Sequence, residues 1–439
     1  CQFFICDTDG PAILSCDASE KLKIVHVSKS CNISAISQKL PAQDVPIPDK
    51  VTLHTLYPSR FDGLGDLPGP FNIELKKEAE PMVAPPRKYP IHLKNEICQK
   101  LDDMEKMGVI KKCCDDEASE WVNQLAFSRK ASGELRICLD PKHLNAAIKR
   151  THYRTHTLDE ISHKLAGSAV YSKLDAKNGY WGVHLTEESS KLCTFQSPAG
   201  KYRFIRLPFG LCVSQDVFQS KMDRILNDAG DGVVGIADDV VVYGKTVEDH
   251  DRALHRLMSA ATKHGLVFRL DKCSIRQEAV DFFGLVWSKE GMKPDPRKCD
   301  NINQKKTPTS VQELLSFLGL VQYLSRFIPH LATRVKLLRQ LLKKGVPWEW
   351  TAEHEQAFVD LKHAINKDML IHYFDPSVPA HIEVDASMHG LGAALIQNNR
   401  PVAFASKTLL PAETRYANIE REMLAVVFGL EHFHCFIFG

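Results

Sequence analysis

The sequence has almost no excess charge of either sign: 56 Lys and Arg stand against 54 Asp and Glu, a formal net charge of +2. That balance excludes a uniformly basic coat for nucleic acid, so any polyanion site must come from local clustering. No apolar run approaches the length of a membrane span, and no secretory signal pattern opens the chain, so no membrane partner and an intracellular location, a cytoplasmic particle or the nucleus, are expected. The 13 cysteines are scattered, and the close pair Cys113-Cys114 has the wrong spacing for a zinc site, so free buried thiols are expected. His432-x-His434 and His152…His156 lack cysteine or acidic partners at ligand spacing. Cys1 stands where an initiating methionine would, which suggests a piece of a longer polyprotein or a decayed copy.

At 439 residues the chain is too long for one compact core and suggests several domains, and 44% hydrophobic with 25% charged residues is the composition of soluble globular protein. The chain is organised around Asp238 and Asp239, which interrupt the apolar run Val233 to Tyr243. Short β-branched runs on both sides of the two aspartates predict a hairpin, although the pair lacks the Asn-Gly, Asp-Gly or Gly-X chemistry of two-residue turns. Two carboxylates held together between apolar strands repel each other and lose water, a cost that a divalent cation removes. A solvated acidic turn on an edge hairpin is the other reading. A second strand-like run, Ala169 to Leu174, ends in Asp175 and is followed by Lys177-Asn178-Gly179 and Tyr180. An acid at a strand end beside an acid pair on a hairpin is the carboxylate set of two-metal chemistry, in which two Mg²⁺ ions sit about 3.5–4 Å apart.

Elsewhere the pattern is coarser. Residues 31–90 are rich in Pro and polar residues and read as a tether. Leu93, Ile97, Leu101 and Met104 recur at helical spacing before Gly108, and Trp121 to Leu144 alternates as a hairpin with Arg129, Lys130 and Arg136 flanking its turn. A solvated basic edge predicts the same charges. Ser214 is a candidate N-cap for a helix with Phe218, Met222 and Ile225 on one face, and His250 to His264 reads as another helix. Phe282 to Trp287 forms a hairpin pattern, and Ser310-x-x-Glu313 has the form of a capping box. Arg326, Arg334, Lys336, Arg339, Lys343 and Lys344 follow, interspersed with apolar residues; a solvated face and a duplex-tracking face share this pattern.

Asp175-Ala176-Lys177-Asn178-Gly179-Tyr180, Leu207-Pro208-Phe209-Gly210-Leu211 and Ile236-Ala237-Asp238-Asp239, in this order and spacing, resemble the palm motifs of Ty3/gypsy-type LTR retrotransposon reverse transcriptases. The resemblance implies an α+β and α/β multidomain chain shaped as a right hand. Fingers and a palm with a split-βαβ sheet would occupy 91–292, thumb and connection 293–375, and a partial ribonuclease H-like domain 376–439. Residues 1–30 are similar to a retropepsin C-terminal strand and helix, with Ile13-Leu14-Ser15 where that family carries Ile-Leu-Gly.

By the same resemblance, Asp175, Asp238 and Asp239 are the catalytic, metal-holding acids for two Mg²⁺, with Asp175 and Asp238 doing most of the liganding. Arg136, with Arg129 and Lys130, would meet the triphosphate of the incoming nucleotide. Tyr180 would lie beneath its sugar, with Phe209 and Gln215 in the loop and helix below the base. Phe283 and Gly284 would form the primer grip, and Asp385 and Glu422 match two acids of ribonuclease H, whose next aspartate would lie beyond Gly439. The implied partners are dNTPs and an RNA or DNA template-primer. Departures are Ile236 where many relatives have tyrosine, Arg154-Thr155-His156 where they have proline-leucine-proline, and Gly182 where they have glutamine. Two other readings stay open: a non-enzymatic descendant that binds nucleic acid, marked by loss of a metal acid, and an RNA-copying viral polymerase, which the ribonuclease H-like segment opposes.

Overall fold

A computed structural model describes residues 45–438 apart from 115–116, 130–132 and 366–368. The retropepsin-like segment and Lys130 therefore lie outside the described residues.

The stretch from 45 to 90, read as a tether, is built into the molecule. Helix α1 (Lys50–Leu56) starts at Asp49, whose carboxylate accepts from the Thr52 amide, and strand β1 (Leu67–Phe71) follows. Ile47, Leu53, Tyr57, Phe61, Leu67 and Ile73 are buried in the main core. Apolar side chains set singly in a Pro-rich polar background make no period, so the sequence pattern hides them. Helix α2 (Lys94–Lys106) buries the expected stripe of Ile97, Leu101 and Met104. After β2 (Ile110–Lys112) comes the expected hairpin of β3 (Gln124–Arg129) and β4 (Leu135–Asp140), with Leu125 opposite Leu139 and Phe127 opposite Ile137.

Helix α3 (Leu158–Leu165) precedes β5 (Val170–Asp175) and β6 (Val183–Leu185), the latter paired in parallel with β1. A second hairpin, β7 (Thr194–Ser197) and β8 (Gly200–Phe204), pairs through β8 with β2. Then come α4 (Ser214–Ala229), β9 (Val233–Ile236), β10 (Asp239–Gly244), α5 (Val247–His264) and β11 (Ser274–Gln277). Ser214 does not cap α4; its hydroxyl donates to the Pro208 carbonyl at 2.7 Å, tying the loop to the helix instead.

The central sheet has the order β11-β5-β10-β9, with antiparallel neighbours. Since β5 and β9 both run against β10, the unit β5-α4-β9 is a split βαβ with β10 inserted, as expected. Leu174, Val240 and Val242 face the main core with Phe218 and Met222 of α4 and Leu254 and Leu257 of α5. Tyr171, Val234 and Val241 face a second core with Ile161 and Leu165 of α3. A sheet covered on both faces explains the unbroken apolar run around the aspartates.

The second core continues through a three-stranded sheet, β12 (Ala279–Phe282), β13 (Leu285–Ser288) and β14 (Gly291–Pro294), and helices α6 (Pro296–Asn303), α7 (Val311–Tyr323) and α8 (Ala352–Ala364). The Ser310 hydroxyl caps α7, while the Glu313 carboxylate returns to the Thr309 amide at 2.8 Å, one residue earlier than in a capping box. Last come β15 (His381–Ala386), β16 (Gly390–Gln397) and β17 (Arg400–Thr408), turning at Asn398 and Asn399, and helix α9 (Asn418–His432). On α9, Leu424 packs inward beside Leu391 and Ala425, while Ile419, Met423, Val426, Val427 and Leu430 are exposed. No helix among the described residues is long and apolar enough to cross a membrane.

Trp287 of β13 is 0% exposed and donates its indole N–H to the Phe282 carbonyl at 2.8 Å. Trp287→Ala should lower stability by about 3–5 kcal/mol, read as a shifted urea midpoint.

Candidate active site

The register of β5 and β10 sets Asp239 directly opposite Asp175, and Asp239 also pairs with Ile236 of β9. The two-residue turn is therefore Ala237-Asp238, one position earlier than the aspartate pair the sequence suggests. Ala237 has φ 54°, a conformation that hairpin turns usually give to glycine, so the turn carries strain. Gln219 of α4 holds it, accepting from the Ala237 amide at 2.8 Å and donating to the Gly235 carbonyl at 3.3 Å. The Ala176 amide donates to the Asp238 carbonyl at 2.7 Å, fastening the turn to the end of β5. Sequence reasoning missed Gln219; its only mark is a polar residue between Phe218 and Met222 on the buried face of a helix.

The three acids part company here. Asp175 and Asp238 line one cleft of about 920 Å³. Asp239 instead accepts from Lys173 Nζ at 2.9 Å. Asp238 Oδ1 is buried and finds no hydrogen-bond partner among the described residues. Burial, then the charges of Asp175 and Asp239, raise its pKa from 3.8 to about 6. Gly179 makes this possible: a Cβ there would lie 2.7 Å from Asp238 Oδ1 and 2.3 Å from the Phe218 ring. Asp175 is compensated, with Lys272 Nζ at 3.0 Å and Arg269 Nε at 3.5 Å. Neither cation was singled out from sequence, where each looks like an ordinary surface charge.

Among the described residues no three His, Cys, Asp or Glu side chains are grouped to hold a metal. Of the three acids expected to hold metal, Asp175 and Asp238 share the cleft, while Asp239, on the adjoining strand, is paired with Lys173. The pair in the cleft fits a divalent cation, since one of its carboxylates has a buried, unpartnered oxygen and is disfavoured as an anion.

The wall beside the acids carries most of the expected nucleotide residues. The Arg136 guanidinium lies 4.0 Å from the centre of the Phe209 ring, Phe209 sits 4.8 Å from Tyr180, and the Tyr180 hydroxyl donates to Gln215 Oε1 at 2.5 Å. Gly210, φ 108°, lets the loop pass so near β4 that a Cβ would meet the Leu139 carbonyl oxygen at 1.9 Å. Arg129 is not brought to this wall: its guanidinium clasps Glu96 at 2.8 and 3.1 Å and donates to the Gly133 carbonyl at 2.7 Å. A carboxylate on a neighbouring helix outcompetes the cleft for it, a pairing that sequence spacing does not show.

Phe283 and Gly284, φ 51° and 74°, form the two-residue turn between β12 and β13. The Tyr323 hydroxyl of α7 donates to the Phe283 carbonyl at 2.6 Å, so the hairpin tip is tied to the thumb helix. Asp385 lies on β15 and Glu422 on α9. Ile382 and Val384 of β15 pack under Gly429 of α9, the helix that carries Glu422. Asp385 projects from the other face, where it lies 3.5 Å from His330 Nδ1. Of the basic residues after α7, Arg326 pairs with Asp159, and Arg339 donates to Gln322 and Thr408.

Residues 128–287 match the family model described as reverse transcriptase (RNA-dependent DNA polymerase), and residues 350–439 match that of the RNase H-like domain found in reverse transcriptase. The Transposon Tf2-3 polyprotein of Schizosaccharomyces pombe is 29% identical over 381 residues, 84% of this chain and 28% of its own length. The retrovirus-related Pol polyprotein from transposon opus of Drosophila melanogaster is 28% identical over 377 residues, 82% of this chain and 38% of its own. The chain thus spans well under half the length of these curated relatives. The foamy viral protease-reverse transcriptase in complex with RNA/DNA hybrid superposes with a TM-score of 0.77 at 22% identity, covering 89% of this chain and 54% of that one. A form of it in complex with double-stranded DNA gives 0.80 at 21%, covering 96% and 77%. The expected right-hand polymerase fold followed by an RNase H-like domain is the one observed.

The environment of Asp238 has a measurable consequence. Its folded-state pKa of about 6 lies above the ordinary 3.8, so its contribution to stability is present below about pH 4 and lost as pH rises through 6. In protein stripped of metal, Asp238→Asn should be more stable than the parent at pH 8 by on the order of 2 kcal/mol, with the gap closing toward pH 4. Denaturant unfolding across that range in EDTA checks it, and added Mg²⁺ should narrow the gap at pH 8.

Proposed function

We propose that this chain is an RNA-directed DNA polymerase that extends a primer 3′-hydroxyl with deoxynucleoside triphosphates on an RNA or DNA template. The observation that carries the reading is Asp238: a carboxylate with one oxygen buried and unpartnered among the described residues, beside Asp175 in a cleft whose wall presents Arg136 over the Phe209 ring. A structural core would not keep such an anion. A site that gains its counter-charge only when substrate and cation arrive would.

Asp175 and Asp238 would hold the divalent cations, two Mg²⁺ by the resemblance; bound there, such ions neutralise the triphosphate and ease ionisation of the attacking hydroxyl. The chain's own part is positioning. The strained Ala237-Asp238 turn is overdetermined by Gln219 and Ala176, so Asp238 cannot relax away from Asp175. Stacking on Phe209 fixes the plane of the Arg136 guanidinium, whose fork suits phosphate oxygens. Tyr180, buttressed by Phe209, Phe218 and Gln215, would close the space beneath the sugar at the 2′ position. The Phe283-Gly284 tip would bear on the primer end from the thumb side. We place the chain within an LTR retrotransposon polyprotein of Ty3/gypsy type, with 1–30 as a retropepsin remnant and an intracellular site of action. A descendant that binds without copying would be expected to have lost a metal acid, and both acids that line the cleft are present.

Asp175→Asn and Asp238→Asn should each abolish primer extension while the far-ultraviolet dichroism of the fold is kept; near-normal extension by either variant would overturn the polymerase reading. Tyr180→Ala should admit ribonucleotides, seen as a fall in the ratio of dNTP to NTP incorporation on one template. An unchanged ratio would remove Tyr180 from sugar discrimination.

A further inference from the structure

A buried polar chain lies where α5 packs on β5, and the polymerase reading does not use it. Asp251 of α5 accepts from the Ile47 amide at 2.9 Å and from His250 Nδ1 at 2.9 Å, and pairs with the Arg276 guanidinium. His250 Nε2 meets Ser172 Oγ at 2.7 Å, and Ser172 Oγ also accepts from the Arg276 amide at 3.0 Å. The partners assign the protons: Ser172 donates to Nε2, and Nδ1–H donates to Asp251. The composition is that of a hydrolytic Ser-His-Asp triad, but Ser172 and His250 are 0% exposed, so no substrate reaches the hydroxyl. One turn along α5, His255 Nε2 donates to the Val45 carbonyl and its Nδ1 accepts from the Tyr57 hydroxyl, both at 2.7 Å. Asp251 and the buried His255 of one helix thus hold residues 45–57, and His250 orients Asp251.

The far end of that segment reaches the catalytic acids. The Phe268 amide donates to the Arg60 carbonyl at 2.8 Å, and the Asp66 amide donates to the Gly265 carbonyl at 2.9 Å. On its other edge the stretch 267–269 pairs with the end of β5: Phe268 bridges Ala176, the Lys177 amide donates to the Val267 carbonyl, and the Arg269 amide donates to the Asp175 carbonyl, each amide bond at 2.8 Å. Arg269 and Lys272, the cations on the Asp175 carboxylate, belong to the same stretch. Lys50 and Phe61 line the cleft itself.

We propose that residues 45–66 are a strap that positions the catalytic wall: anchored by Asp251 and His255, it backs Gly265 and Phe268 through two backbone hydrogen bonds, and the stretch 267–272 in turn fixes Asp175 and its two cations. Asp251 is a positioning residue, since it touches no substrate and acts through Ile47, Arg60 and Phe268. The inference rests on the polymerase reading for its effect on rate but not for its mechanical content. Order in the strap must propagate through Arg60 to the amides of Lys177 and Arg269, because those amides bond across the strand that the strap supports.

The test is amide hydrogen exchange of the full chain beside steady-state primer extension, well below the unfolding temperature. Asp251→Ala should raise exchange about tenfold at Ile47 and also at Lys177 and Arg269, and lower kcat about tenfold with the KM for primer-template unchanged. Tyr57→Phe, which removes one hydroxyl and leaves the core filled, should move the same amides in the same direction by less; it also serves if Asp251→Ala fails to fold. A strap that loosens while the Lys177 and Arg269 amides keep their parental exchange overturns the proposal, as does loosening of all three with kcat intact. A parent that extends no primer refutes the polymerase reading instead, and the two amides still report whether the strap positions the wall.

Discussion

The structure depends on keeping one oxygen of an ionisable carboxyl buried at the edge of a cleft, with no hydrogen-bond partner among the described residues. Asp238 sits at the tip of a hairpin, under Phe218 and against Gly179, with Asp175 and Asp239 close enough to raise the cost of its charge. Everything around it serves that placement: a turn residue at a conformation suited to glycine, a buried glutamine that bonds both sides of the turn, and a sheet covered on both faces so that the hairpin cannot twist outward. Asp175 has been given the opposite treatment. Lys272 and Arg269 pair with it directly, whereas they reach Asp238 only as more distant charges that burial outweighs, so the two acids rest in unlike surroundings.

Much of this was legible in the sequence, for reasons that differ by element. The hairpin of β3 and β4 and the helices α2, α4 and α5 announce themselves by period, because long elements repeat one burial pattern often enough to be counted, while the split-βαβ palm was implied only by the family resemblance. The pairing of Asp175 with the aspartate hairpin was legible because acids interrupt apolar runs only at a cost. The segment 45–66 was not, because its apolar anchors fall singly among prolines and its hydrogen bonds go to partners some two hundred positions away. The identity of the turn residue was missed for a local reason: aspartate favours turns more than alanine does, and the register with β5 overrode that preference. Arg129, Asp239 and Asp385 share another lesson. Each is a charge whose destination depends on a neighbour, Glu96, Lys173 and His330, that no spacing rule reveals.

In the proposed polymerase, nucleotide discrimination and metal binding would meet at one ring. Phe218 packs edge-on against Tyr180 and lies against Gly179, so the residue that buttresses Tyr180 also bounds the space left to Asp238. A substitution that widens one of these spaces therefore alters the other, and on that reading selectivity for the sugar and demand for the cation would be coupled through packing rather than through any shared charge.

The palm sheet, finally, is a wall held in common. Val240 and Val241 are adjacent in sequence and 0% exposed, yet they belong to two separate hydrophobic cores. Such a wall has no interior of its own, and losing the packing on either side strips it on that side. The half that carries α7 and β13 and the half that carries the acidic cleft cannot melt independently, and a heat-sensitive lesion in the packing of one would disable the other. The hand folds, and fails, as one object.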